Sequence, residues 1–117
     1  MNEKFESMKK YVENISIQDI LDEREKSSAL ENKMLQILKG ALLSIEYIGR
    51  AYASGDIDND EYQTLIEKAL LKREMIVLEV LEYDELNDTT LIPPPYNIVK
   101  IDGVNYQLFS VNHYGIK

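Results

Sequence analysis

Four carboxylates near the middle of the chain have a spacing that could bind calcium. They are Asp56, Asp58, Asp60 and Glu67, at positions 1, 3, 5 and 12 of one continuous segment. Calcium takes about six to eight oxygen ligands, and carboxylates supply most of them in loops of this length. The residue types and their spacing therefore raise the possibility of a metal site between two helices.

This segment resembles the calcium loop of EF-hand proteins, but two positions depart from that pattern. Its sixth residue, which needs glycine for a sharp turn, is Glu61, and its normally apolar eighth residue is Gln63. Asp58 with Glu61 three residues later is instead typical of a helix capping box. A helix beginning at Asn59 would lie inside the loop that calcium requires. We therefore interpret the segment as a cap beside a solvated acidic turn, and we expect no metal.

Signals for catalysis are few. His113 is the sole histidine of the chain, and no recognisable motif places a carboxylate beside it. The chain has no nucleophile elbow, no phosphate-binding glycine loop and no zinc-protease motif. The many carboxylates fall on charged helix faces, where solvation explains them. The sequence therefore predicts a protein that is not an enzyme and has no cofactor.

Two arginines are candidates for anion binding. Arg73 falls on the otherwise apolar face of its predicted helix, and Arg50 lies one turn before the predicted helical turn. A guanidinium at a core-facing position needs a paired acid or a bound anion. One interpretation is a salt bridge to Glu46 or Glu74, or a pair across a subunit interface. The other is an anion or nucleotide site at an oligomer interface.

The run Pro93–Pro95 followed by Tyr96 matches the PPxY pattern that WW domains bind as polyproline II. The pattern is short and common by chance. We interpret it as a stiff, extended linker that leads into the first strand.

The charge balance excludes several classes of partner. Thirteen basic and 21 acidic side chains give a net charge of −8. No segment is basic, so the chain lacks the electrostatic signature of nucleic-acid binding, and anionic membranes are disfavoured for the same reason. An acidic surface favours a partner protein with a basic surface.

Composition also bears on location and origin. The chain has no cysteine, which excludes disulfides and thiolate metal sites. It has no apolar run near the roughly 20 residues that span a bilayer, and no signal-peptide core, so we expect a cytoplasmic protein. Residues with AT-rich codons are abundant, as in low-GC bacteria and their phages or mobile elements.

Two long helices, at about 29–53 and 59–83, form the predicted centre of the chain. Ser28 with Glu31 matches a capping box for the first helix, and Gly55 matches the left-handed residue that often follows a helix. The short link between the helices favours an antiparallel hairpin. The apolar residues at helical spacing are Met34, Leu38, Ala41, Ile45, Ile48 and Tyr52 in the first helix, and Tyr62, Ile66, Ala69, Ile76, Val80 and Tyr83 in the second.

The ends of the chain are predicted to be smaller elements. Residues 1–27 should form short docking helices, the first with the stripe Phe5, Met8, Val12 and Ile15. Ser16 with Asp19 resembles a second cap there. Residues 84–95 are expected to be a linker.

Residues 96–101 and 104–111 alternate as two strands around Asp102-Gly103, a strong signal for a type I′ hairpin turn. This turn sets Ile101 opposite Val104 and Val99 opposite Tyr106. The predicted buried face is Val99, Ile101, Val104, Tyr106 and Leu108.

These features predict a single α+β domain over residues 1–117, mainly helical, with a C-terminal β-hairpin. The leading hypothesis is a non-enzymatic acidic protein that inhibits or regulates another protein, encoded by a phage or mobile element and acting on a host or defence protein. The alternatives are a homo-oligomeric binder of a small nucleotide-like anion and a structural dimerisation module. We also expect a homo-oligomer. The candidate interface residues are Tyr96, Ile98, Phe109, Tyr114, Asp56, Asp58, Asp60 and Glu61.

Overall fold

The computed structural model describes residues 2–17 and 27–109. Over these ranges the chain is mainly helical and ends in an antiparallel β-hairpin, which confirms the predicted α+β class with its helical hairpin. The second predicted cap of the N-terminal region, His113 and Tyr114 lie outside the described residues. The elements are α1 (Glu3–Asn14), α2 (Ser28–Ala53), α3 (Asn59–Asn87), β1 (Ile98–Ile101) and β2 (Val104–Gln107).

The turn after α2 ends that helix with main-chain hydrogen bonds. The Asp56 N–H donates to the Ala51 carbonyl at 2.9 Å, and the Gly55 N–H donates to the Tyr52 carbonyl at 3.1 Å. This pair of bonds is a Schellman motif, which requires a left-handed residue just past the helix. Gly55 has a φ of 82°, as its position in the sequence predicted.

Helix α3 begins with the predicted capping box. The Glu61 N–H donates to the Asp58 carboxylate at 2.8 Å, and the Asp58 N–H donates to the Glu61 carboxylate at 3.0 Å. Ile57 and Tyr62, on either side of the cap, are buried in the same apolar cluster. The cap and the cluster together fix the reversal of the chain between α2 and α3.

The predicted cap of α2 is wrong by one residue. The Ser27 hydroxyl, not that of Ser28, accepts from an N–H of the first turn, that of Leu30, at 3.1 Å. A capping box would then need an acid at position 30, which is a buried leucine. Glu31 instead accepts a hydrogen bond from the Tyr83 hydroxyl on α3 at 2.8 Å.

The predicted inward stripes of α2 and α3 are buried except for Tyr52, which is partly buried, and α1 packs against both helices. Each fully buried apolar side chain contributes about 1.5–3 kcal/mol to the free energy of folding. One cluster lies near the α2–α3 turn and includes Met8, Val12, Ile45, Ile48, Leu65 and Ile66. The other joins the far ends of α2 and α3 to the hairpin and includes Met34, Leu38, Ile76, Val80, Ile92, Val99 and Ile101.

The segment between α3 and β1 differs from the predicted linker. Helix α3 continues to Asn87, and the first residue of the predicted linker, Asp84, is helical and buried. The three prolines do not form an extended polyproline helix, because the Tyr96 N–H donates to the Pro93 carbonyl at 2.9 Å and closes a turn. The predictions of a linker from residue 84 and of an extended proline segment are therefore wrong.

The β-hairpin has the predicted register, with Ile101 opposite Val104 and Val99 opposite Tyr106. Asp102 and Gly103 have φ values of 52° and 81°, the left-handed region that a type I′ turn requires. The strands are shorter than predicted and cover 98–101 and 104–107.

One residue of the predicted buried face is exposed. Val99, Ile101 and Leu108 are buried, but Val104 is 51% exposed. The reason is that β1 is the strand that contacts α2. Val104 lies on the other strand, at the start of β2.

Candidate functional site

Helix α3 has an apolar stripe on the side opposite the core. We define this stripe as Leu71, Met75 and Leu78, whose exposed fractions are 58%, 55% and 58%. Their spacing of four and three residues places them on one face over two helical turns. Apolar residues exposed one at a time are ordinary, whereas a contiguous row of them on one helix is a candidate binding surface.

Three exposed glutamates lie next to the apolar stripe, Glu67, Glu74 and Glu82, and a fourth, Glu85, lies one turn beyond Glu82. Glu67 and Glu74 lie one helical turn before and after Leu71, and Glu82 lies one turn after Leu78. Residues three or four apart are neighbours on a helix surface, so these carboxylates border the stripe. We call the stripe with these glutamates the outer face of α3.

The cations of α3 are directed away from its outer face. The Lys72 ammonium donates to the Glu13 carbonyl at 3.4 Å, and the Lys68 ammonium lies 4.0 Å from the Glu13 carboxylate, both contacts being with α1. Arg73, the third cation of α3, is only 8% exposed. The outer face is therefore apolar along its middle and negative at its borders.

The acidic turn, a predicted interface candidate, has its contacts within the chain. The Lys4 ammonium of α1 donates to the Asp56 carboxylate at 2.7 Å, and the Ser54 hydroxyl lies 3.1 Å from the same carboxylate. The hydrogen bond from Lys4, followed by that from Ser54, lowers the pKa of Asp56. The Asn2 side-chain amide donates to the Asp56 carbonyl at 2.7 Å and to Glu61 at 3.2 Å. The turn thus holds the start of α1.

The four carboxylates of the calcium-like spacing are used separately. Asp56 contacts Lys4, Asp58 caps α3, and Asp60 and Glu67 lie within the helix. Across residues 2–17 and 27–109, no group of three or more His, Asp or Glu side chains is placed to hold a metal ion.

The two arginine candidates lie in different environments. Arg50 is exposed on α2 and forms an ion pair with Glu46, one of the two acids that the sequence suggested. Arg73 is buried in α3, with its guanidinium carbon 5.5 Å from the centre of the Phe109 ring. Burial lowers the pKa of Arg73, and the charge of Glu74 partly offsets this effect. The structure does not bring the two arginines into one site.

The hairpin candidates border a shallow groove. Tyr96, Ile98 and Phe109, predicted as interface candidates, are exposed. The groove has a volume of about 530 Å³, and Leu35, Leu91, Pro93–Pro95, Ile98 and Lys100 contribute to its lining. It is a second exposed apolar region, and it lacks the acidic border that distinguishes the outer face of α3.

Two buried polar residues at the end of α3 hold the fold. The Asp84 carboxylate accepts hydrogen bonds from the Thr89 hydroxyl at 2.6 Å, the Leu91 N–H at 2.9 Å and the Ile92 N–H at 3.0 Å. Burial and the hydrogen bond to Glu31 raise the pKa of Tyr83 to about 12. These contacts position the segment that leads into β1.

Comparison of the chain with protein-family models, curated proteins and solved structures finds no match. Among the described residues, none of the helices combines the length and the apolar composition needed to cross a membrane. Function must therefore be inferred from the surfaces of this chain.

The sequence predictions did not include the outer face of α3. Leu71, Met75 and Leu78 repeat at helical spacing, as the core residues do, but they fall on the opposite side of the helix. The signal was therefore present, since a helix with apolar residues on two opposite faces needs two apolar neighbours.

Proposed function

We propose that the protein is a non-enzymatic interaction protein that inhibits or regulates another protein by binding it through the outer face of α3. The observation that carries this proposal is the exposed row of Leu71, Met75 and Leu78 with its border of carboxylates. An apolar centre with a charged rim is the usual anatomy of a protein interface.

The charge of the outer face supports a partner with a basic surface. Complementary charges around an interface accelerate association and disfavour wrong partners, while the apolar centre provides most of the affinity. The net charge of −8 acts in the same direction at longer range.

The composition favours a phage or mobile-element protein that acts on a host or defence protein in the host cytoplasm. It has the abundance of residues with AT-rich codons described above, together with a small size and an acidic charge. The homo-oligomer expected from the sequence stays a prediction, which sedimentation of the full chain tests.

The test is capture of the partner by the tagged full chain from lysate of the native host. We expect one stoichiometric protein, identified by mass, with the wild-type chain. The double variant Leu71→Gln, Leu78→Gln should lose it, because the substitutions place polar groups in the buried centre of the interface. Leu43→Gln, which changes an exposed leucine of α2, is the matched control and should retain it.

Two results would contradict the proposal. One is the absence of any stoichiometric partner. The other is a partner captured equally well by the wild-type chain and by the Leu71→Gln, Leu78→Gln variant, which would place the binding surface elsewhere.

A further inference from the structure

We infer that the partner presents an amphipathic α-helix, with an apolar seam flanked by Lys and Arg, which lies along the outer face of α3. This inference rests on the proposed function and specifies the part of the partner that is bound.

The backbone of α3 excludes strand addition at its outer face. The main-chain N–H and C=O groups of a helix are used within the helix, so its outer face presents side chains alone. An added strand needs an edge with unpaired backbone groups, and within residues 2–17 and 27–109 only the β-hairpin has such edges. The partner element must therefore satisfy its own backbone, as a helix does.

The spacing of the stripe also fits a helix. Steps of four and three residues from Leu71 through Met75 to Leu78 are the steps of the a and d positions at which two helices pack side by side. The stripe is about 10 Å long at 1.5 Å per residue, which corresponds to two turns of a partner helix.

We call the line of positions on α3 that steps by four and three residues through the stripe its seam. The next two positions of this seam define the charge of the partner. Continuing by four and three residues from Leu78 leads to Glu82 and then Glu85, both exposed. With Glu67 and Glu74 at the border, the seam itself passes from apolar to acidic toward the C-terminal end of α3, with the exposed Leu86 beside it. A helix that covers the whole seam needs leucine-like residues at one end and Lys or Arg at the other end and along its flanks.

A second copy of this chain is a poor occupant of the same face. It would bring four more glutamates to the same interface, and Lys68 and Lys72, which could offset them, contact α1. Like charges brought together across an interface oppose association. The occupant that fits is therefore a chain of opposite charge.

The experiment measures binding of fluorescent peptides to the full chain by anisotropy. The probe is a designed helix of about 16 residues, four to five turns, with leucine at the a and d positions of one half and lysine or arginine at all other positions. A second peptide has the same composition with the leucines scrambled. We expect the patterned peptide to bind about tenfold more tightly or better than the scrambled one, and to gain helical circular dichroism on binding.

The same variants supply the controls. Leu71→Gln, Leu78→Gln should remove the difference between the two peptides, and Leu43→Gln should preserve it. Equal binding of patterned and scrambled peptides would overturn the inference, because charge alone would then explain the binding.

Two further outcomes separate this inference from the proposed function. If the patterned peptide does not bind but the double variant still loses the captured host protein, the helical partner is wrong and the proposed function stands. If sedimentation shows a dimer of the full chain that the double variant loses, the occupant is a second copy, and the inference is overturned.

Discussion

Helices α2 and α3 share the same inward spacing of apolar residues but differ on their outer sides. Part of the outer side of α2 is used within the chain: Gln36 donates to the Asp102 carboxylate at 2.8 Å, and the Lys39 ammonium lies 3.5 Å from it. Leu43 and Tyr47 are exposed on the same side. The Tyr11 hydroxyl of α1 lies 3.5 Å from the Gly40 carbonyl. The outer face of α3 instead leaves a row of large apolar side chains in water.

The comparison shows that apolar residues at the same helical spacing have different roles on the inner and outer sides of a helix. Inward residues of both helices bury apolar area against each other, which stabilises the fold. Outward apolar residues gain nothing from folding, because they are exposed before and after it. We therefore propose binding as the explanation of the outer face of α3, whereas part of the outer side of α2 contacts α1 and the hairpin.

The largest expected effect is the contrast between the two sides of α3. Leu65 is 0% exposed. Leu65→Ala should destabilise the fold by about 2–5 kcal/mol, because the change leaves a cavity. Leu71→Ala, on the outer face, should change stability by less than about 0.5 kcal/mol. Urea unfolding followed by circular dichroism measures both. Similar losses in the two variants would mean that the outer face is covered in the free protein.

The next effect concerns the carboxylate at the end of α3. Asp84→Ala should cost about 2–4 kcal/mol, since it leaves the N–H groups of Leu91 and Ile92 without their acceptor in a buried position. Glu85→Ala, at the neighbouring exposed position, is the matched control and should be near neutral. Urea unfolding of both variants gives the comparison, and an equal cost would show that Asp84 is dispensable for docking the hairpin.

A smaller effect is expected where the two helices are joined by a polar contact. Tyr83→Phe removes the hydrogen bond to Glu31 and should cost about 1–2 kcal/mol at neutral pH. Because the folded-state pKa of Tyr83 is raised to about 12, its contribution is fully present below the ordinary value near 10. It is lost as the pH rises from about 10 to about 12, since the unfolded chain ionises first.

Urea midpoints of wild type and Tyr83→Phe between about pH 8 and 11 test this effect. The wild-type advantage should be constant up to about pH 10 and should then decline. Tyr62, whose pKa is also raised by burial, is present in both proteins and cancels in the difference. A stability difference between wild type and Tyr83→Phe that stays constant up to about pH 11 would argue against a neutral Tyr83 hydroxyl hydrogen-bonded to Glu31.

The parts of the fold predicted from sequence are those set by local chemistry. The Asp58 cap, the left-handed Gly55 and the Asp102-Gly103 turn each depend on residues within a few positions, and each is confirmed. The inward stripes were predictable as well, because burial on one side of a helix leaves a period in the sequence.

The wrong predictions concern carboxylates whose hydrogen-bond partners are distant in the sequence. Glu31 was expected to bond locally but bonds to Tyr83, 52 residues away. Asp84 lies in a polar run typical of a loop, yet its carboxylate binds N–H groups seven and eight residues later, which shapes the segment after the helix. The outer face of α3 was missed for a different reason. Apolar residues at helical spacing indicate that a helix face is apolar, but they do not indicate what covers that face.

The smallest effect on stability should accompany a clear effect on binding. Glu74→Gln with Glu82→Gln removes two charges from the border of the apolar stripe and should change the free energy of unfolding by less than about 0.5 kcal/mol. Association with the basic patterned peptide should slow several-fold at low salt, because border charges act mainly on the rate of encounter. Stopped-flow anisotropy at two salt concentrations measures this rate.

The matched control removes the same charge from α1, as Glu3→Gln with Glu6→Gln. If net charge alone attracts the peptide, both pairs should slow association equally, and the outer face of α3 would lose its distinction from the rest of the surface. If the border of the stripe guides the peptide, the α3 pair should slow association more, and the difference should shrink as salt screens the charges over about 10 Å. Dissociation should change little in either pair, because the apolar centre of the face is intact.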